Sequence, residues 1–358
     1  MLPTYAIQSF HLLGEDIRNF LSGKAPQAGE WEQTLLLAEQ ENPWFTQDNI
    51  HNALKGISLW LDKDKLSKWL SAYPELSTGN KKPLIVGVIM AGNIPLVGFH
   101  DFLCVLFSGN ILRAKLSHSD SRLLTFLANK LIEIEPEWKE RIQFVERLNG
   151  SLDLVIATGS NNTARHFEYY FKNIPHIIRR NRNGMAILNG SETPEELNAL
   201  GKDIFSYFGL GCRNVSKLYV PESYNLDTFF RSIEPYKDVI NHNKYHSNYT
   251  YNRTIYLMDG KKFTDNGFLA VIPNPAPSSP IAVLNTEEYE NLEKLSARLM
   301  EMEEQIQCIV ATKKVKEVMA KYAASLPFVD IGESQSPSLS DYADGVDVMK
   351  FLLSQSAS

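Results

Sequence analysis

A chain of 358 residues exceeds what one ordinary hydrophobic core organises, so we expect two domains. Its content of 44% hydrophobic and 22% charged residues describes an ordinary soluble globular protein. The net charge of −6 argues against nucleic acid or an anionic membrane surface as the main partner.

Cysteine usage and the start of the sequence bear on the compartment. Cys104, Cys212 and Cys308 are an odd set without C-x-x-C spacing, which fits neither a disulfide framework nor a zinc knuckle. The start, "MLPTYAIQSFHLLGED", lacks the basic end and apolar centre of a signal peptide. No apolar run approaches the roughly 18 residues of a membrane-spanning helix. We therefore expect a cytoplasmic protein without stable membrane insertion.

The first part of the chain, residues 1–80, has a helical pattern. Ile50, Leu54, Ile57 and Leu61 recur at the spacing of one helix face, with polar and charged residues between them. This pattern predicts helices that pack on a core.

Residues 81–200 alternate strands with helices. The run "LIVGVIMA" is apolar throughout, as expected of a strand that is buried on both faces. The predicted strands are 84–91, 111–117, 142–148 and 152–160. Such alternation predicts crossover units on a doubly wound parallel sheet, whose ligands bind at the carboxyl ends of the strands.

A second alternating block follows, which predicts a second α/β domain over residues 201–327. A helix begins after Thr193, and "SKLYVP", "RTIYLMD" and "IQCIVA" are predicted strands. The segment "HSNYTYNRT" is predicted to be extended. Residues 328–358 are rich in turns, and we expect this tail to pack back on the fold.

Two motifs offer weak evidence for a site. No G-x-G-x-x-G and no P-loop is present, but Thr158, Gly159 and Ser160 lie at a strand end and open a helix. That turn suits a phosphate or ribose contact, or simply a capped helix start. His242 and His246 have the spacing of two metal ligands on a helix, but no glutamate lies between them and the segment reads as extended, so we predict no metal.

Cys212 stands in a polar turn. It follows Gly209-Leu210-Gly211 and precedes Arg213-Asn214, a setting that exposes the sulfur and places a cation beside it. The residues alone leave two interpretations open, a nucleophile and a structural cysteine. Cys104 and Cys308 lie inside apolar runs and are predicted to be core residues.

The motifs "AGNIP", "RAKLS", "TGSNNTAR" and "FGLGCRN", in this order, resemble the aldehyde dehydrogenase superfamily. The fuller likeness is to the LuxC-type acyl-CoA reductases, carried by "AGNIPLVGFHDFLCVLFSGN", "NYTYNRTIYLMDG" and "SPSLSDYADGVDVMKFL". The resemblance implies an α/β fold of the aldehyde dehydrogenase type. A doubly wound cofactor domain would precede a catalytic domain that carries the cysteine.

The resemblance also implies residue roles. Cys212 takes the position of the nucleophile and Asn93 that of the amide that binds the oxyanion. Lys115 and Ser117 face the adenosine ribose, while Thr158, Gly159 and Ser160 form the turn along the cofactor.

Three positions depart from the family pattern. Arg179 to Asn183 contain no acid where hydrolytic members carry a glutamate base, so an acyl-enzyme is expected to persist in water. His118 replaces a glutamate that NAD-preferring members use, which favours NADPH, with NADH as the alternative. The segment "NPAPSSPIAV" lacks the later glutamate that contacts the nicotinamide ribose.

The sequence thus predicts a reductase that converts an acyl-CoA, and by family a fatty acyl-CoA, to the aldehyde through an acyl-enzyme. Two alternatives remain: a CoA-acylating aldehyde dehydrogenase that works oxidatively on a short aldehyde, and a non-catalytic nucleotide-binding or redox-sensing scaffold. The resemblance implies a homo-oligomer. Phe99, Phe102, Leu103 and Phe208 are candidates for an acyl tunnel, although core packing is favoured.

Overall fold

A computed structural model describes residues 5–77 and 82–355. The chain forms two compact units. Unit 1 comprises residues up to Asn181 together with those from Ser338 onward, and unit 2 comprises Arg182–Pro337. The domain boundaries expected from the sequence stay predictions; in this division residues 182–200 lie in unit 2.

Unit 1 begins with helices, as the periodicity predicts. They are α1 (Ala6–Leu21), α2 (Ala28–Glu41), α3 (Gln47–Trp60) and α4 (Lys63–Leu70). The predicted apolar face of α3 is buried, and Thr46 caps its first turn by accepting from the Asn49 N–H. Within the described part of the chain, no helix is long and apolar enough to cross a bilayer.

A parallel sheet follows, built from strands that alternate with helices. The strands are β1 (Ile85–Ile89), β2 (Ile111–Lys115), β3 (Ile142–Phe144), β4 (Leu154–Thr158) and β5 (His176–Arg179). The helices are α5 (Phe99–Phe107), α6 (Arg122–Ile134) and α7 (Asn161–Tyr170). The strand order is β3-β2-β1-β4-β5, and all four pairings are parallel. This is the predicted doubly wound sheet, and its order reverses between β1 and β4, where such sheets bind ligands.

Unit 2 contains a larger, mixed sheet in the order β12-β11-β6-β7-β10-β9-β8. The strands are β6 (Asn183–Ile187), β7 (Val215–Pro221), β8 (Thr264–Asp265), β9 (Ala270–Pro273), β10 (Val283–Tyr289), β11 (Ile306–Ala311) and β12 (Phe328–Val329). The helices are α8 (Pro194–Phe205), α9 (Leu226–Ser232), α10 (Asn243–Met258), α11 (Leu292–Glu301) and α12 (Lys313–Met319). β8 pairs antiparallel with β9, whereas the other described pairings are parallel.

The C-terminal segment is divided between the units. β12 joins the sheet of unit 2, whereas residues from Ser338 belong to unit 1 and end in α13 (Val348–Gln355). The Tyr342 hydroxyl accepts from the Trp69 indole N–H at 2.9 Å and lies 2.5 Å from the Tyr73 hydroxyl. These buried bonds fasten the tail to unit 1.

One secondary-structure prediction is wrong. Residues 246–259 were expected to be extended, but they lie in or directly after α10. Tyr245, Tyr249, Asn252 and Tyr256 are buried at helical spacing, and the Tyr245 hydroxyl donates to the Phe268 carbonyl at 3.0 Å. Aromatic and polar residues are weak helix formers, so burial of this face outweighs their low propensity.

Candidate active site

The first sheet gathers the predicted cofactor-side residues at one edge. They lie in the β1 loop (residues 90–98), the β2 turn (residues 115–120) and the end of β4, which follow neighbouring parallel strands. They are Asn93, Lys115, Ser117, His118, Thr158, Gly159 and Ser160. Asn93, His118 and Ser160 are exposed, and the others are half-buried. The predicted ligand-binding edge is therefore formed within unit 1.

The β1 loop and the β2 turn touch through a glycine. A Cβ at Gly92 would lie 2.5 Å from both Cβ and Oγ of Ser117. The Met90 N–H donates to the Lys115 carbonyl at 3.1 Å, which continues the strand pairing into the loop. The backbone beside Asn93 thus lies against the turn that carries Lys115 and Ser117.

Asp120 joins the same two segments by a hydrogen bond. Its Oδ2 accepts from the Leu96 N–H at 2.7 Å, and Leu96 has a left-handed backbone with φ of 59°. Among the described residues, its Oδ1 has no hydrogen-bond partner although it is buried. Burial raises the pKa of Asp120 to about 7, and the Leu96 bond opposes this effect.

The β4 end forms a capped helix start. Ser160 Oγ accepts from the Thr163 N–H at 3.3 Å, and the Gly159 N–H donates to the Arg179 carbonyl at 3.2 Å. A Cβ at Gly159 would come within 3.0 Å of Thr163 Cβ. The capping interpretation is confirmed, and a cofactor contact by this turn stays a prediction.

The arginines at the end of β5 and directly after it are held by other groups. Arg179 forms two bonds with the buried Asp101 carboxylate, and Asp101 in turn has its pKa held down by Arg179 against the effect of burial. Arg180 pairs with Glu168. In unit 2, Arg182 donates to the Ile306 carbonyl at 3.2 Å. These side chains brace the strands, and the segment itself supplies no carboxylate.

The three cysteines differ in exposure. Cys212 is exposed, whereas Cys104 and Cys308 are buried, which confirms both as core residues. Burial raises the pKa of the Cys308 thiol to about 12 and that of Cys104 well above its ordinary value. Both buried thiols are therefore protonated and unreactive at neutral pH.

Cys212 lies in residues 206–214, which we call the nucleophile loop after the role that the family resemblance predicts for Cys212. The backbone of this loop is unusual. Tyr207, Phe208 and Gly209 have φ values of 52°, 57° and 77°. Left-handed backbone is costly for residues other than glycine, at roughly 1–2 kcal/mol each. Such strain is typical of functional segments that their surroundings hold in place.

Asn214 supplies much of that restraint. Its Oδ1 accepts from the Gly211 N–H at 2.8 Å, and its Nδ2 donates to the carbonyls of Asp203 at 3.1 Å and Ser206 at 2.9 Å. The side chain is buried, so these bonds are shielded from water. One amide therefore ties both sides of Cys212 to the end of α8.

Gly184 on β6 permits the loop to lie close to the sheet. A Cβ there would be 2.5 Å from the Asn214 carbonyl oxygen and 2.6 Å from that of Arg213. Both neighbours are backbone atoms, so no side-chain rotation relieves the contact. A residue larger than glycine at this position has to displace the segment directly after Cys212.

A buried aspartate holds the other side of the loop. Asp203 on α8 accepts from the N–H groups of Gly332 at 2.6 Å and Ser334 at 2.9 Å. Arg213 Nε donates to the Ser334 carbonyl at 2.5 Å. The residue after Cys212 is thus fixed to the segment that Asp203 orders.

The family model described as Acyl-CoA reductase (LuxC) matches residues 24–230, more than half of the chain and a span that includes every predicted site residue. The chain belongs to this family. No curated protein matches it.

Solved structures show the fold of this LuxC-family chain. An aldehyde dehydrogenase 21 from Physcomitrella patens, in complex with succinate, matches with a TM-score of 0.65 at 12% identity over 98% of this chain and 84% of that one. An NAD-dependent aldehyde dehydrogenase from Sinorhizobium meliloti gives 0.64 at 13%, over 91% and 74%. A Mycobacterium tuberculosis aldehyde dehydrogenase complexed with NAD⁺ gives 0.61 at 13%, over 90% and 77%. The predicted aldehyde dehydrogenase-like fold is confirmed.

Two further predictions concern the surroundings of the LuxC-family site. Phe99, Phe102 and Leu103 are fully buried in the core of unit 1, as the favoured interpretation holds. The ring of Phe208 packs 4.3 Å from that of His242, between ring centroids. His242 precedes α10, and its Nδ1 accepts from the Tyr245 N–H at 3.3 Å, so it serves as a helix cap.

Several supporting residues were missed by the sequence interpretation. Gly92 lies inside the "AGNIP" motif and Gly184 directly follows the Arg179 to Asn183 segment, but only the fold shows which atoms they approach. Asp120, Asp203 and Asn214 hold loops through partners at separations of 8 to 131 residues along the chain, apart from the Gly211 bond. A sequence signal was available for Asn214 alone, as a short polar side chain next to the glycines before Cys212.

Proposed function

We propose that this chain reduces a fatty acyl-CoA to the aldehyde through an acyl-enzyme on Cys212, with NADPH as the reductant. Membership in the acyl-CoA reductase family supports the reaction class. The observation that carries the assignment of the nucleophile is that Cys212 is the exposed thiol, on a strained loop fixed by Asn214, while the other two cysteines are buried.

The first half of the reaction is acyl transfer. The Cys212 thiolate attacks the thioester carbonyl, a new C–S bond forms, and the tetrahedral oxyanion accepts a hydrogen bond from the Asn93 amide. The bond to coenzyme A then breaks, and the departing thiolate takes a proton from solvent. Loss of one such oxyanion donor typically lowers turnover by ~10²–10³.

The edge of the first sheet fits a dinucleotide. Lys115 supplies a cation, Gly92 and Gly159 lack the Cβ that would meet the side chains of Ser117 and Thr163, and α7 begins after β4 with its first N–H groups at this edge. When bound, the nicotinamide supplies a hydride to the acyl carbon. The resulting thiohemiacetal releases the aldehyde as its C–S bond breaks and Cys212 regains its thiolate.

The acyl-enzyme should resist water. Arg179 to Asn183 contain no carboxylate, and their arginines already bond to Asp101, Glu168 and backbone carbonyls. Without a base to activate water, the thioester survives until hydride reaches it.

Intact-mass spectrometry after incubation with acyl-CoA tests the proposal. We expect an acyl adduct in the wild type that disappears in Cys212→Ser, persists without cofactor, and is released as aldehyde when NADPH is added. If no chain length gives an adduct, the scaffold alternative holds. If free fatty acid is released without NADPH at a rate near the reductive turnover, a base does activate water, and the proposal that the acyl-enzyme resists hydrolysis is wrong.

The cofactor preference is a separate test. A charge-assisted bond from Lys115 to a 2′-phosphate contributes roughly 1.5–3 kcal/mol, which corresponds to a factor of about 10 to 100. The absence of a repelling glutamate at His118 leaves this gain intact. Steady-state kinetics should therefore give NADPH at least a ~10-fold higher kcat/KM than NADH. Equal efficiencies would show that the β2 turn does not recognise the phosphate.

A further inference from the structure

Asp120 connects two segments that have different roles in the proposed reaction, oxyanion binding and cofactor binding. We propose that Asp120 is a positioning residue that holds the β1 loop, which carries Asn93, against the β2 turn, which carries Lys115 and Ser117. The inference rests on the proposed function for the roles of these loops. Asp120 itself contacts neither acyl-CoA nor cofactor in this proposal, and it acts through the segments that it joins.

The contact between the segments is short and specific. Asp120 Oδ2 accepts from the Leu96 N–H at 2.7 Å, three residues beyond Asn93. Leu96 has a left-handed backbone, which a residue with a Cβ adopts only when surrounding bonds compensate. The Asp120 bond is the one that the structure provides to the amide of this residue. Loss of the carboxylate therefore frees Leu96 to relax toward ordinary backbone angles, and the loop with it.

The other side of the turn is anchored as well. The Asn42 Nδ2 donates to the Ser119 carbonyl at 3.3 Å, and Ser117 Oγ accepts from the Ser119 N–H at 3.2 Å. The Asn42 bond holds the β2 turn against the segment between α2 and α3. Through its bond to Leu96, Asp120 in turn holds the β1 loop against this turn. At Gly92 the two segments lie in contact, so a shift of either one moves the other.

The consequence is that oxyanion binding and cofactor binding share one support. Removal of the Asp120 side chain should weaken both, whereas a residue that held a single subsite would affect one alone. Asp120→Ala removes the acceptor, and Asp120→Asn retains an oxygen acceptor of the same length. Rescue by asparagine separates the hydrogen bond from other effects of the substitution.

Asp153→Ala is the matched control. Asp153 Oδ2 also accepts a backbone N–H of this segment of sheet, that of Ile85, at 2.7 Å, but at the opposite end of β1. The Asp153→Ala substitution removes the same kind of bond, but at the first residue of β1, and it leaves the β1 loop and the β2 turn untouched. It is expected to lower stability without a change in either binding function.

The experiment measures three quantities in wild type, both Asp120 variants and the control. They are the rate of acyl-adduct formation from acyl-CoA, the Kd of NADPH by fluorescence quenching, and amide hydrogen exchange over residues 90–98 and 115–120. In Asp120→Ala we expect adduct formation to slow and Kd to rise, each by about tenfold. Exchange should accelerate in both segments, and Asp120→Asn should remain within about threefold of wild type for all three quantities.

Three results would overturn the proposal: a loss in Asp120→Ala no greater than in Asp153→Ala, a loss of only one function, or no rescue by asparagine. If the wild type forms no adduct, the proposed function fails. The exchange data still decide on Asp120 in that case, because faster exchange confined to residues 115–120 would show that it does not hold the β1 loop.

Discussion

The β1 loop of unit 1 and the nucleophile loop of unit 2 are built by the same two devices. In each, a glycine allows a close approach: Gly92 to Ser117, and Gly184 to the Arg213 and Asn214 carbonyls. Each also depends on a buried aspartate that accepts backbone N–H groups: Asp120 bonds directly to Leu96 of the β1 loop, whereas Asp203 bonds to Gly332 and Ser334, and Arg213 of the nucleophile loop bonds to Ser334. Both loops are thus held largely by side-chain bonds to their backbone and by close packing at a glycine.

The difference between the two aspartates is the second carboxylate oxygen. Both oxygens of Asp203 accept bonds, one from Gly332 and one from Ser334, whereas Asp120 Oδ1 has no partner among the described residues. Burial raises the pKa of both groups, and the backbone bonds oppose this effect. A fully bonded carboxylate tolerates its charge, while a half-bonded one favours the protonated form. Asp203 is therefore the more fully hydrogen-bonded anchor of the two, and burial raises the pKa of both carboxyl groups.

The largest expected effect comes from removal of the Cys212 sulfur in the nucleophile loop. Cys212→Ala should lower reductase turnover by ~10³ or more, because no acyl-enzyme forms. The Kd of the cofactor should stay unchanged, since the predicted cofactor residues belong to unit 1. Cys104→Ala and Cys308→Ala should retain most activity. Comparable losses in all three variants would show a structural effect in place of a catalytic one.

Gly184→Ala tests the close approach below the same loop. Its methyl group has to displace the Arg213 and Asn214 backbone, and a shift of about 1 Å at a reacting group costs roughly 10² in rate. We expect kcat to fall by roughly 10² and the Kd of NADPH to remain unchanged. Gly56→Ala on α3 is the control, since its Cβ meets no atom within 4 Å and alanine favours the helix. A full-rate Gly184→Ala enzyme would contradict the contact.

Gly92→Ala makes the corresponding change in unit 1. The added methyl group pushes the β1 loop from Ser117, so acyl transfer and cofactor binding should each weaken by about tenfold. Stopped-flow acylation and NADPH titration measure the two effects. Comparison with Gly184→Ala distinguishes the two loops, because only Gly92→Ala, in unit 1, should alter the affinity for the cofactor. An effect of Gly184→Ala on that affinity would break the comparison.

The smallest effect concerns the two aspartates and pH. The folded-state pKa of Asp120 is raised from 3.8 to about 7, so the folded protein holds a proton between these values that the unfolded chain has released. Stability from this group is therefore largest near pH 4 and is lost as pH rises to 7, by up to ~1.4 kcal/mol per pH unit. Lys115 and His118, which lie near Asp120 along the chain, are present both in the wild type and in the Asp120→Asn variant with which it is compared below.

The difference in unfolding free energy between wild type and Asp120→Asn should accordingly shrink from pH 5 to pH 8, as measured by urea denaturation. Asp203→Asn should remain destabilising at pH 8 by about 1–3 kcal/mol, because an amide nitrogen then faces a buried N–H group. Equal and pH-independent losses in the two variants would remove the distinction between the two carboxylates.

Sequence patterns predicted four of the five strands in the sheet of unit 1, without β5, and they indicated the exposure of Cys212. Continuous apolar runs such as Leu84 to Ala91 carry their own signal for buried parallel strands, and the glycines around Cys212 indicate an exposed turn. The family resemblance supplied the order of the site motifs. The sequence pattern gives the wrong prediction at α10, because it indicates an extended segment where buried tyrosines at helical spacing form a helix.

The sequence by itself determined the fold class, the family and the identity of the exposed thiol, because these depend on local periodicity and on motifs in order. Tertiary structure alone decided that Gly92 meets Ser117, that Gly184 lies under the nucleophile loop, and that Asp203 orders residues more than a hundred positions away. It also decided that one oxygen of Asp120 is left without a partner among the described residues. The physical reason is that close contact and desolvation are properties of packed neighbours, and no local pattern encodes which distant atoms those neighbours are.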